Sequence, residues 1–141
     1  MLRAEAFLDE VFLLNKKIDA KQKEIDILNA LLVKLNKELT PDRVQTSGDK
    51  DQLGNTIAKL IDAKVEINNL IDRYVDKLAV VRIVIEQVSD PKEYDLLHKH
   101  YIQGLSWTSI SHEWGNSNTW VHEIKNNAFA SVQKILDKKA I

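Results

Sequence analysis

Four histidines stand in the last third of the chain: His98, His100, His112 beside Glu113, and His122 beside Glu123. Imidazoles next to carboxylates are the raw material of metal sites and of acid–base catalysis. A helical zinc site needs two histidines one turn apart on one face, with a third ligand at a fixed offset. None of these histidines has that arrangement, so no metal is expected. Ser106, Ser109 and Ser111 lack a partnered base and are read as a helix cap and small packing residues rather than nucleophiles. There is no glycine-rich phosphate cradle and no cysteine. The pattern is not that of an enzyme, and no cofactor is expected.

A second set of polar residues suits recognition better than catalysis. Asn118, Thr119, His122, Glu123, Lys125 and Asn126 would face outward on one helix, with Val121, Ile124, Ala128 and Val132 inward. Asparagine pairs with adenine, glutamate accepts from cytosine, and histidine or lysine reaches guanine or phosphate. Double-stranded DNA is therefore the expected partner. Phosphate-binding cations, which supply most of the affinity for DNA, are few. The plain alternative is a solvated helix face in a packed bundle.

The elements that would position this set are legible on either side. Ser106 suits an N-cap, and Trp107, Ile110 and Trp114 then recur on one helical face. Gly115 falls where a left-handed residue ends a helix. A second helix starts at Ser117. Helix, glycine-containing turn and second helix make the outline of a helix-turn-helix, with Trp107, Ile110, Trp114, Val121 and Ile124 as its core. Trp120 lies beside the outward face, where it packs on the preceding helix, touches DNA or buries against a partner. Upstream, Asp90-Pro91-Lys92-Glu93 reads as a capped helix start with Glu93 closing a capping box. That helix runs to about Ile102, and Gly104 ends it.

Before residue 90 the pattern changes to heptads. Phe7, Val11, Leu14, Ile18, Lys21, Ile25, Leu28, Leu32, Leu35 and Leu39 form one seam, widened by Leu13, Ile27 and Leu31. Leu53, Ile57, Leu60, Lys64, Ile67, Ile71, Tyr74, Leu78, Val81, Ile85 and Val88 form another. Lys21 and Lys64 each interrupt a seam and are expected to snorkel to water. Thr40-Pro41 ends the first helix, and the polar residues 41–52 are read as a loop. Two helices of matched length, roughly 50 Å each, suggest an antiparallel hairpin. The expected fold is all-α: a long coiled-coil-like helical hairpin over 1–89, serving as an oligomerisation arm, and a helix-turn-helix domain over 90–141.

Composition narrows the classes further. The chain has 141 residues, 44% of them hydrophobic, and a net charge of −1. Residues 1–90 carry 14 Lys/Arg against 16 Asp/Glu, and residues 91–141 carry 6 against 5. No strong field draws such a chain to nucleic acid or anionic lipid, so a monomer would bind DNA weakly. A homo-oligomer, with a dimer favoured, would double the contact. No apolar run matches a membrane span and acids interrupt the N-terminus, so a cytoplasmic protein without a membrane partner is expected.

Specific segments carry a family resemblance. They are Asp42-Arg43-Val44-Gln45, Ser47-Gly48-Asp49-Lys50, Gly54-Asn55 and Ile57-Ala58-Lys59-Leu60, then Leu96-Leu97, Tyr101, Gly104-Leu105-Ser106-Trp107, Ile110, Ser117, Val121, Ala128, Val132 and Leu136. Through them the chain resembles the phage-encoded transcriptional regulators of the ArpU/LtrC/RinA type, whose C-terminal part is similar to sigma factor region 4. The resemblance implies a DNA-binding regulator of phage or mobile-element genes, activating late ones, in a bacterial host. It implies that Asn118, Thr119, His122 and Glu123 approach promoter bases, and it makes RNA polymerase a second candidate partner. The chain departs from region 4 at Ser109 and Ser111, where an acid and an alanine are usual. It departs again at Asn118, Trp120 and His122, which replace basic residues. Two other readings use the same parts: a small terminase-like subunit for DNA packaging, and an adaptor that docks on RNA polymerase without reading DNA.

Overall fold

The computed structural model describes residues 3–38, 47–115 and 118–139. Every element among them is helical: α1 (Arg3–Glu38), α2 (Ser47–Glu86), α3 (Pro91–Leu97), a π-helical stretch (His98–Ile102), α4 (Trp107–Trp114) and α5 (Asn118–Lys139). The two long N-terminal helices pack against each other as a hairpin. No described helix is long and apolar enough to cross a membrane. Thr40, Pro41 and Ser117 lie outside the described residues, as do residues 41–46. The loop expected over 41–52 is shorter than that on its C-terminal side, because α2 begins at Ser47.

The chain forms two compact units. One is Leu14–Arg73, and the other joins residues up to Leu13 with those from Tyr74 onward. In the first unit Ile25 of α1 is buried with Leu60, Ala63 and Ile67 of α2, and Ile18, Leu28 and Leu32 pack around them. Lys21 does more than snorkel. Its ammonium donates to Glu24 at 2.8 Å and to Glu66 of α2 at 2.6 Å, so it ties the two helices together.

The seam of α2 corrects half of the heptad reading. Leu53, Leu60, Ile67, Tyr74, Leu78, Val81, Ile85 and Val88 face inward as expected, but in the N-terminal part of α2 the alternate positions are Thr56, Ala63 and Leu70. Ile57, Lys64 and Ile71 are exposed, so Lys64 does not interrupt the seam at all. Small Ala63 fits beside Ile25 of α1 where Lys64 would not, and Thr56 is buried about two turns before it. The Thr56 hydroxyl donates to the Gln52 carbonyl at 2.8 Å, which makes its burial tolerable. Leu13 and Ile27, expected to widen the first seam, are 51% and 67% exposed.

The second unit has one core that runs across residue 90. Ala4, Leu8 and Val11 of α1 and Val81, Val84, Ile85 and Val88 pack with Leu97, Tyr101, Ala128, Phe129 and Val132. Lys77 sits within it, 3.6 Å above the Phe7 ring and 3.0 Å from Glu10. Asp90 accepts from the Lys92 and Glu93 amides, capping α3 behind Pro91. The capping box is not closed, however: Glu93 accepts from the Ser131 hydroxyl of α5 instead.

Candidate nucleic-acid interface

The interface is built from α4, the turn at Gly115 and α5. Ser106 caps α4: its hydroxyl oxygen accepts from the Ser109 amide at 3.1 Å. Gly115 ends the helix at φ 67° and ψ 26°, the left-handed region where a Cβ is costly. Its amide donates back to the His112 carbonyl at 3.1 Å. Ile110 and Val121 are buried together with Leu96, and Leu105, Trp107, Trp114, Trp120 and Ile124 are packed around them, half-buried. Trp120 therefore packs on the preceding helix, with its ring 5.5 Å from that of Trp114.

A π-helical stretch supports this pair from behind. It turns His100 onto Trp107, with ring centroids 3.5 Å apart, while the His100 Nδ1–H donates to the Leu105 carbonyl at 2.6 Å. Phe12 meets His100 edge-on and stacks on Tyr101. Burial lowers the His100 pKa from its ordinary value, and the neighbouring Lys125 charge pushes the same way. The Leu105 carbonyl and Asp9 oppose that shift. Tyr101 donates to Asp9 at 2.8 Å, and burial raises its pKa far above the ordinary phenol.

Asn118, Thr119, His122, Glu123 and Asn126 are exposed on α5. Lys125 is not fully outward as expected. It is half-buried, with its ammonium 5.4 Å from the Trp107 ring centroid. Asn118, His122 and Lys125 border one groove together with Trp107, Val121 and Thr108. Thr108 escaped the reading from sequence, because only the packing of α4 on α5 brings it beside Asn118 and His122. Two further lysines of this unit are engaged internally. Lys99 pairs with Glu113 at 2.9 Å, and Lys92 lies over the rings of Trp114 and Trp120.

The histidines do not come together. His98 accepts from the Gln103 amide group, His100 is stacked on Trp107, and His112 and His122 are exposed. Among the described residues no three His, Cys, Asp or Glu side chains are grouped to hold a metal. No protein-family model matches the chain, and neither does any curated protein or solved structure.

Proposed function

We propose that this chain is a DNA-binding transcriptional regulator of phage or mobile-element genes, acting on late promoters as a dimer. Helix α5 is the reading element, with Asn118, Thr119, His122 and Glu123 toward base edges and Asn126 one turn further along. The observation that carries the reading is the junction of α4 and α5. A left-handed glycine follows the first helix, and the first turns of the second present exposed hydrogen-bonding side chains above a packed core. The gene class follows from the resemblance of the GLSW stretch and the residue 42–60 motif to phage regulators. Two copies compensate for the scarcity of cations by engaging two half-sites at once. Selection of bound duplexes from a randomised library tests this reading. An enriched motif that disappears with the Asn118→Ala/His122→Ala variant supports it, and absence of any enrichment contradicts it.

One observation favours a second reading. Lys92, Lys99 and Lys125 are held over aromatic rings or against Glu113, which leaves few charges for phosphates. An adaptor that docks on RNA polymerase without reading DNA would need none. Retention of polymerase by the immobilised chain, with no duplex binding, would select this alternative.

A further inference from the structure

Helix α2 carries a second seam on a flank that does not face α1. Ile57, Ile61, Lys64, Asn68, Ile71 and Val75 follow in steps of four, three, four, three and four. All six are exposed, with Ile61 at 56% and Val75 at 57%. This is coiled-coil spacing. The series is the same from either end, both in its steps and in its chemistry: two apolar residues, two polar, two apolar. Across a two-fold axis perpendicular to the helix, such a series pairs apolar residues with apolar ones and polar with polar.

We infer that this flank is the contact with a second copy of the chain, α2 lying antiparallel on α2 with the two-fold axis between Lys64 and Asn68. Ile57 then meets Val75 of the second copy, and Ile61 meets its Ile71. The central pairing decides the direction. A parallel arrangement would set Lys64 against Lys64, two like charges inside an apolar strip. The antiparallel one sets each ammonium against an Asn68 side-chain carbonyl, which accepts its hydrogen bond. Ile27, the most exposed large apolar residue of α1, does not share this property. It borders a different groove, rimmed by Lys21, Glu24, Lys59, Asp62 and Glu66. The inference rests on the dimeric part of the proposed function and is independent of whether α5 reads DNA.

Light scattering on the full chain tests it, with Ile61→Glu and Ile27→Glu alongside. The unmodified chain and Ile27→Glu should have twice the chain mass. Ile61→Glu should associate at least tenfold more weakly while its helical circular dichroism is unchanged. A monomer at high micromolar concentration overturns both the dimer and this surface. A dimer that survives Ile61→Glu overturns the surface alone. Direction is tested by cysteines, since the chain has none. Positions 61 and 71 are about 15 Å apart along one helix, beyond disulfide reach. Mixed Ile61→Cys and Ile71→Cys chains should therefore form a disulfide-linked dimer under mild oxidation, and neither should do so alone. Cross-linking of each variant with itself would mean parallel packing and overturn the antiparallel arrangement.

Discussion

His100 lies nearly flat on Trp107, with ring centroids 3.5 Å apart and planes 17° apart. The contact joins the π-helical stretch to the first helix of the α4–α5 pair. Because burial lowers the His100 pKa below its ordinary 6.5, the unfolded chain binds the proton more readily. Stability contributed by the neutral ring is full above that value and is lost as pH falls through the lower folded pKa. The melting temperature should therefore drop as pH falls below about 6.5. His100→Gln, which keeps a donor for the Leu105 carbonyl, should show a smaller drop. Thermal melts of both proteins across this range check it. An identical slope would mean that His100 is not the group responsible.

Tyr101 of the π-helical stretch donates to Asp9 near the start of α1 in one hydrogen bond of 2.8 Å. Its acceptor is a carboxylate, so Tyr101→Phe should cost about 1.5–3 kcal/mol in urea unfolding. In a double-mutant cycle with Asp9→Asn the two changes should be non-additive.

Gly115 gives a conformational prediction. At φ 67° an added Cβ is strained, so Gly115→Val should destabilise by about 1–2 kcal/mol, and Gly115→Asn by less. Nothing lies within 4 Å of the added Cβ, so the ranking reports backbone conformation rather than crowding. Denaturant midpoints of the two variants check the order.

The seam of α2 predicts opposite outcomes at adjacent residues. Ala63→Leu should destabilise by about 1–3 kcal/mol through overpacking against α1. Lys64→Ala, which does not face α1, should stay within about 0.5 kcal/mol when measured in the Ile61→Glu background, where association with a second copy is weakened. Equal effects would contradict the register.

These adjacent positions also show where sequence reading succeeds and fails. Asp90, Ser106 and Gly115 are legible because capping is local chemistry: a side-chain oxygen meets its own helix's amides, and a glycine takes a left-handed turn. The hairpin is legible because two long heptads flank one connection. The alternate seam positions of α2 are not. Thr56 with Ile57, Ala63 with Lys64, and Leu70 with Ile71 all fit a heptad that shares Leu53, Leu60 and Ile67. Hydrophobicity selects Ile57, whereas the fold buries Thr56 beside it and packs Ala63, not Lys64, against α1. Leu8 and Lys77 escape for another reason. Leu8 falls outside the heptad, and Lys77 is accommodated by the Phe7 ring and Glu10, a partnership between distant segments. At the interface, outward placement of Asn118 and His122 follows from helical periodicity. The Lys125 contact with Trp107 depends on how α4 packs on α5.

Whether α5 reads base sequence is decided by one comparison of affinities. Affinities of the full chain and of Asn118→Ala/His122→Ala are measured at physiological salt, on the selected duplex and on a scrambled duplex of equal length. The unmodified chain should prefer the selected duplex by at least tenfold. Loss of base contacts worth about 1–3 kcal/mol each should abolish that preference while non-specific binding remains. Equal affinity of the unmodified chain for both duplexes would contradict it.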